Sequence, residues 1–339
     1  AVSVLLSSRS FPQNRIHPPK TLLYQKEAPL SAGSRLDRAF AGAPILPLTD
    51  HSRLVLFSDC HRGNGTSNDN FLKNQHLYLA ALRHYYRKGY TYLELGDGDE
   101  LWENRRISQI VEIHSSVFEL LARFYQEGRL YLLYGNHDII KRRSRTVRDC
   151  SSAGLCGGAS PAPLFPGIRF YEGIILKEET LHKDLYLTHG HQADALNSLF
   201  WPMARFLVRY LWGPLERMGF LDPTSAAKNN EKKHKTEQRL VQWASQNRRI
   251  LIAGHTHRPM TGSKASPYFN TGSCIHPGAI TVIEIDHRCI ALVRWSLSVR
   301  EDLSLCAVRE VISERICMGI SGKKENVSLD YPDSRLLQN

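Results

Sequence analysis

The sequence predicts an α/β fold organised around a largely parallel sheet, and three features carry that reading. Short apolar runs each end in a polar cluster: Leu54–Phe57 before Ser58-Asp59-Cys60-His61, Tyr92–Leu95 before Gly96-Asp97, and Leu130–Tyr134 before Gly135-Asn136-His137-Asp138. Leu185–Leu187 before Thr188-His189-Gly190-His191 and Ile250–Ala253 before Gly254-His255-Thr256-His257 complete the set. Runs of that length, closed by glycine and turn residues, read as buried strands. Helical stripes separate the first three, giving a βαβ series with right-handed crossovers. The clusters at Asp59, Asp97 and Asn136 recur at steps of 38 and 39 residues. Each therefore falls at the carboxyl end of its strand on one sheet edge, where open α/β sheets place their sites.

Taken in order, residues 1–50 hold six basic and three acidic residues, with Pro12, Pro18, Pro19, Pro29, Pro44 and Pro47 and no sustained period. They predict an irregular N-terminal arm lying on the main domain, which runs over 51–318. Asp69 is placed to cap a helix carrying Leu72, Leu79, Leu82 and Tyr86, stopped by Gly89. A second helix is predicted from Ile107 to Glu127 through Ile110, Val111, Val117, Leu121 and Phe124, ended by Gly128. Past residue 265, Tyr268–Asn270, Ala279–Ile285 and Cys289–Trp295 read as strands of a second, antiparallel portion beside the first sheet. Asp286-His287-Arg288 is a hairpin turn between the last two. The polar stretch 319–339 reads as a flexible C-terminal tail.

Composition narrows the class. The chain has 339 residues, 42% hydrophobic and 23% charged, which excludes wholesale disorder and fibrous repeats. No apolar run is long enough to cross a membrane. Lys plus Arg number 44 against 33 Asp plus Glu, a net charge of +11 that favours an anionic partner. Seven cysteines without a repeated C-x-x-C pair point to free thiols in a reducing compartment. The run Val2–Leu6 is too short for a secretory core, so the expected location is cytoplasmic.

The strand-end clusters concentrate metal-ligand side chains: Asp59, His61, Asp97, Asn136, His189, His255 and His257. Carboxylate, amide and imidazole donors without an obligatory thiolate suit Mn, Fe or Zn in a reactive rather than a purely structural site. Seven ligands exceed one ion's needs and divide between two if Asp97 is shared. Two ions about 3.5–4 Å apart can hold a hydroxide and bind phosphoryl oxygens.

The order Asp59-x-His61, Gly96-Asp97-x-x-Glu100, Gly135-Asn136-His137-Asp138, His189-Gly190-His191, Gly254-His255-Thr256-His257 resembles that of the calcineurin-like metallophosphoesterase superfamily. The resemblance covers residues 53 to about 295. It implies a four-layer αββα metallophosphoesterase sandwich with a helical cap insertion over about 195–247. It also implies two divalent ions, Mn first with Fe or Zn as alternatives. Asp59, His61 and His257 would hold one, Asn136, His189 and His255 the other, and Asp97 would bridge. His137 would be the proton donor or transition-state hydrogen-bond donor, oriented by Asp138. The implied reaction is hydrolysis of a phosphoester or pyrophosphate by in-line attack of a metal-bridging hydroxide, with no covalent enzyme intermediate.

Gly96-Asp97-x-x-Glu100-x-Trp102, Gly254-His255-Thr256-His257-Arg258-Pro259 and the 66-residue step from His189 to His255 are similar to the UDP-2,3-diacylglucosamine pyrophosphohydrolases. That branch has Arg at the position of His137 and Asp at that of His191. From Asn197 to Ile250, ten Lys or Arg face four Asp or Glu, and Asn197–Leu221 is dense in aromatic and aliphatic side chains. Such a segment can admit an acyl chain or lie on an anionic membrane surface, or simply pack on the domain. The expected partner is a phosphorylated small molecule or lipid-linked substrate. Arg62, Asn64 and Arg258 follow ligand motifs and are candidates to grip its phosphates. Cys60, between two ligands, should face away from them. The alternatives are a nuclease or other phosphodiesterase, a phosphoprotein phosphatase, and a non-catalytic scaffold of the same fold. No aromatic-interleaved basic stripe supports nucleic-acid binding.

Overall fold

The computed structural model describes residues 31–66, 68–152, 163–212, 230–263 and 266–318. The tail 319–339, Cys156, residues 1–30 of the arm and 213–229 of the insertion lie outside them. The arm's described part is regular, contrary to the sequence reading. Helix α1 (Ala32–Ala41) starts at Ser31, whose Oγ accepts from Ser34 N. It buries Leu36, Ala39 and Phe40 at helical spacing. Strand β1 (Ile45–Pro47) then pairs in parallel with residues Gly173–Lys177. The prolines masked a ten-residue amphipathic stretch lying between them.

Strands β2 (Arg53–Phe57), β3 (Thr91–Leu95) and β4 (Leu130–Leu133) are parallel neighbours, as the crossover argument requires. Helix α2 (Gln75–Arg87) makes the first crossover. Asp69 sits upstream of it, accepting from Leu72 N at a short 3-10 turn. The second crossover, predicted as one helix, is two: α3 (Ile107–Ile113) and α4 (Ser115–Gln126). They break at buried His114, whose Nε2 lies 2.9 Å from Asp69 Oδ2. This buried pair satisfies both groups and takes precedence over continuing the helix. Helix α5 (Ser144–Ser152) leads to β5 (Phe170–Tyr171), parallel to β4.

The second sheet holds β6 (Gly173–Lys177), β7 (Leu185–Thr188), β8 (Ile250–Ala253) and β9 (Tyr268–Asn270), in the order β1-β6-β7-β8-β9. Between β7 and β8 come α6 (Ala195–Ser198), α7 (Trp201–Leu207), a π-helical turn over Val208–Trp212, and α8 (Asn230–Gln246). Of the strands read as a separate antiparallel portion, Tyr268–Asn270 instead joins the second sheet in parallel with β8, and the later ones join the first sheet. β10 (Ala279–Asp286), β11 (Cys289–Val299), β12 (Leu305–Val311) and β13 (Ile316–Cys317) extend the first sheet, ordered β12-β11-β10-β2-β3-β4-β5 with β13 on β11. Ile283 of β10 lies opposite Leu56 of β2. The expected hairpin turn is present, with His287 and Arg288 both at positive φ, 48° and 61°.

Four layers result. Leu54, Leu56, Leu93, Leu95 and Leu133 face Ile174, Leu176, Leu185, Leu187 and Ile252 between the sheets. Outside the first sheet, Tyr78, Leu82, Leu121 and Phe124 of α2 and α4 pack on Val55, Phe57 and Tyr92. Outside the second, Leu36 and Phe40 of α1 join Leu240 and Trp243 of α8 on Leu251 and Ala253. Strands covered on both faces lose the alternating pattern, which explains the continuous apolar runs.

The cysteine reading needs one correction. Cys289 and Cys317, opposite each other on β11 and β13, form a disulfide. Cys150 is a free thiol, as expected, and is buried on helix α5. Cys60 faces the core, as expected. Among the described residues no helix is long and apolar enough to cross a membrane.

Candidate metal centre

The polar clusters after β2, β3 and β4 of one sheet meet those after β7 and β8 of the other. At these strand ends Asp59, His61, Asp97, His255 and His257 all adopt left-handed backbone, with φ of 52°, 49°, 51°, 71° and 55°. Such residues cost free energy, about 1–3 kcal/mol each, and persist where surrounding structure fixes them for a function. Glycine makes the crowding possible. A Cβ on Gly135 would lie 2.2 Å from Asp97 Oδ1, and one on Gly254 would lie 2.4 Å from Asp59 Oδ2.

Each carboxylate spends one oxygen on the protein and presents the other. Asp59 Oδ2 accepts from Ser58 Oγ and from His255 N at 2.9 Å. Its Oδ1 lies 3.0 Å from His257 Nε2 and 3.9 Å from His61 Nε2. Asp97 Oδ1 accepts from His137 N at 2.7 Å, leaving Oδ2 3.1 Å from His189 Nε2 and 3.8 Å from His61 Nε2. His189 Nδ1 donates to Leu95 O at 2.8 Å, so Nε2 carries its lone pair toward the centre. Asn136 Oδ1 lies 3.2 Å from that Nε2.

Potential ligand atoms group as Asp59, His61 and His257 in one set and Asp97, His189 and His255 in another. A further set, His61, Asp97 and His137, overlaps both, so Asp97 stands between the two halves. The structure thus brings together all seven residues expected from sequence. It also offers a test of fit: Asp59 Oδ1 is buried with no hydrogen-bond donor among the described residues. An ionised oxygen in that position, ringed by imidazole nitrogens, is suited to a divalent cation. Burial alone would raise the Asp59 and Asp97 carboxyls. Neighbouring His257 and His189 outweigh it at Asp59, and His189 and His137 at Asp97, holding both below the usual carboxylate range.

His137 sits at the rim, its ring stacked on Trp102 at 4.3 Å and edge-on to His61 at 4.6 Å. The carboxylate beside it is Glu100, with Oε2 2.7 Å from His137 Nδ1 and 3.0 Å from His61 Nδ1. Burial pulls the His137 pKa down, but Glu100 and Asp97 prevail and lift it to about 10. The expected orienting role of Asp138 is therefore corrected. Its carboxylate accepts from the amides of Gly135, Asp97, Gly98 and Asp99 and from Lys141 Nζ at 2.6 Å. It anchors the loop that carries Asp97.

Of the three expected phosphate-gripping residues, Arg62 is corrected: it is fully buried, bonded to both oxygens of Glu94 and to Asp99 Oδ1. Arg258 is paired to Glu237, which also accepts from Thr256 Oγ1, so it braces the second histidine loop. Asn64 Oδ1 accepts from Thr66 Oγ1 a few residues after His61. Glu100 and Trp102 carry more of the site than the sequence reading gave them. The sequence quoted both, but the short step between them did not show that they clasp His137 from two sides. His191 is also drawn in: its buried Nδ1 has no hydrogen-bond partner, and its ring lies 5.5 Å from that of His189.

Residues 52–259 match the family model described as calcineurin-like phosphoesterase. No curated protein matches the chain significantly. Among solved structures, the chain is similar to a conserved protein from Streptococcus pneumoniae TIGR4, a predicted phosphoesterase. Identity there is 14% and the TM-score 0.32, covering 76% of this chain and 97% of that one. It is also similar to Chaetomium thermophilum Vps29, at 9% identity and a TM-score of 0.34, covering 80% and 100%.

Proposed function

Because the chain belongs to the calcineurin-like phosphoesterase family, we propose that it is a dinuclear-metal hydrolase of phosphoester or phosphoanhydride bonds. The observation that carries this reading is the shared Asp97 carboxylate between two ligand sets, each containing buried imidazoles. Asp59, His61 and His257 would hold one ion, Asn136, His189 and His255 the other, with Asp97 common to both. Two bound divalent ions would supply a nucleophile at neutral pH and neutralise phosphoryl charge. Manganese is the first choice for reconstitution, with iron and zinc as alternatives.

The remaining work falls to the chain's own side chains. His137 donates a proton to the leaving oxygen. Trp102 fixes its ring plane from one side, and Glu100 stands at Nδ1, leaving Nε2 for the substrate. Glu100 also stands at His61 Nδ1, so one carboxylate aligns the proton donor with a ligand of the first ion. Ser58 and the His255 amide hold Asp59 so that Oδ1 faces inward. Thr271 Oγ1, 2.6 Å from Ser58 Oγ, supports that arrangement.

One observation favours a lipid-linked substrate or peripheral contact with an anionic membrane. Phe200, Met203, Phe206, Tyr210 and Leu211 are exposed on the insertion, whose Trp201 and Ala204 pack with Trp102 beside the site. The test is manganese-reconstituted hydrolysis of a monoester, a diester, a nucleotide sugar and its acylated counterpart, with Asp97→Ala as control. Turnover that disappears in Asp97→Ala supports the hydrolase. Selective cleavage of the acylated compound supports the lipid reading. No Asp97-dependent turnover on any member overturns the hydrolase and favours a non-catalytic scaffold.

A further inference from the structure

His191 lies in the turn after β7, and the backbone of that turn is held from several directions. Gly190, at a φ of 105°, makes the bend, and its amide donates to Gln192 Oε1 at 3.1 Å. Arg35 of α1 donates to Gln192 O at 2.6 Å, and Arg239 of α8 donates to Ala193 O at 2.9 Å. The His191 ring takes part in none of this. Its Nδ1 is buried and has no hydrogen-bond partner among the described residues. The ring stands 5.5 Å from that of His189 and 6.5 Å from that of Tyr134, yet His191 belongs to none of the ligand groups.

Neutral or protonated, an imidazole carries at least one N–H, so His191 always has a donor to satisfy. The acids on this side of the centre are engaged with other groups. Asp194 accepts from Leu196 N and Asn197 Nδ2, at 2.9 and 2.8 Å, and Glu172 accepts from Tyr134 Oη at 3.0 Å. Asp97 Oδ2 faces His189 Nε2 at 3.1 Å. A buried polar side chain without a partner costs free energy that an apolar one of the same shape would not, so its presence calls for a ligand. Its position says which. His191 retains 2% of its surface, the same as Asn136. It stands against His189 of the second ligand set as His137 stands against His61 of the first, 4.6 Å away. Each ligand set thus has one non-ligand imidazole beside it.

We propose that His191 is a binding residue for the phosphoryl group, donating a hydrogen bond to a phosphoryl oxygen on the side of the second ion. This deepens, and rests on, the two-ion phosphate site of the reading above. A phosphoryl oxygen is an acceptor with negative charge, and a hydrogen bond to such an oxygen is about twice as strong as one to a neutral acceptor. The fixed backbone of the turn holds the ring in place before the group arrives, so little ordering is left for binding to bear.

The test is calorimetric titration of full-length, manganese-loaded protein with inorganic phosphate, with bound manganese assayed before and after. His191→Leu should bind phosphate about tenfold more weakly than the wild type while keeping its manganese. His191→Gln, which retains an N–H donor, should stay within about threefold of the wild type. Thermal unfolding of the metal-free proteins separates binding from architecture. Removing a donor that the chain leaves unpaired should keep the Tm of His191→Leu at or above the wild-type value. A fall of more than about 5 °C would make the ring a structural part and overturn the proposal. So would unchanged phosphate affinity in His191→Leu, equal weakening in both variants, or loss of manganese, which would make His191 a metal ligand. A wild type that takes up no manganese or no phosphate overturns it as well. Turnover of the substrate panel above answers a separate question. If no Asp97-dependent turnover is found while phosphate binding still depends on His191, the hydrolase falls and this binding residue stands.

Discussion

Two buried charge clusters lie side by side behind β3, and they are built on opposite principles. In one, Arg62, Glu94, Asp99, Lys141 and Asp138 answer each other: Arg62 holds Glu94 and Asp99, and Lys141 Nζ lies 2.7 Å from Asp99 Oδ2 and 2.6 Å from Asp138 Oδ2. In the other, Asp59, His61, Asp97, His189, His255 and His257 present lone pairs to one another, and Asp59 Oδ1 has no donor. The first cluster is complete as protein; the second, on the function proposed above, would be completed by cations. Burial alone therefore does not mark a functional site. What marks it is buried donor capacity left unmatched by the chain, together with left-handed backbone at the ligands.

The sharpest way to break the comparison is at the residue both halves of the centre share. Asp97→Ala should abolish turnover and lower metal stoichiometry toward one or none per chain, read by elemental analysis of the purified protein. Retained binding of two ions would remove the bridging role. Next, His137→Ala should lower kcat by about 10²–10⁴ while metal content stays at the wild-type value. Equal metal loss in both variants would show that His137 belongs to the ligand set.

Lys141→Met probes the completed cluster instead. It leaves Asp99 and Asp138 buried without their ammonium, and should destabilise the fold by about 3–5 kcal/mol in urea unfolding. A change below about 1 kcal/mol would show that water reaches the cluster. The smallest effect is expected at the seam between the two. Glu100→Gln should weaken metal affinity or activity by about 10–100-fold. It should leave urea stability closer to wild type than Lys141→Met does. If Glu100→Gln instead matched Lys141→Met in stability loss, Glu100 would belong to the structural cluster.

The residues of the candidate centre were legible as a group because each stands within a few residues of a strand end, where an apolar run and a glycine announce the turn. The sandwich itself came less from pattern than from the family resemblance. Pattern alone placed β10 and β11 in a separate portion, because nothing in Ala279–Asp286 states that its partner is β2. Helix α1 was hidden by the prolines around it, although Ser31 and the Leu36, Ala39, Phe40 spacing were available. The roles of Arg62 and Asp138 went unread for another reason. A basic residue after a ligand motif looks like a phosphate grip until Glu94 and Asp99, remote in sequence, are seen to claim it. His137 and Asp138 are adjacent in the chain, yet the carboxylate that serves His137 is Glu100.

The pairing of β2 with β10 has a consequence in time. Leu56 waits for Ile283, about 230 residues further along the chain, and His257 reaches the centre only shortly before that strand. At a synthesis rate of about 5–20 residues per second, β2 spends roughly 10–45 s with one edge open while the ribosome is still working. Asp59, His61 and Asp97 are made well before His255 and His257, which lie about 160 residues beyond Asp97. On the function proposed above, cation loading would wait until His255 and His257 have been made, and a nascent chain stalled before residue 255 would lack a complete centre.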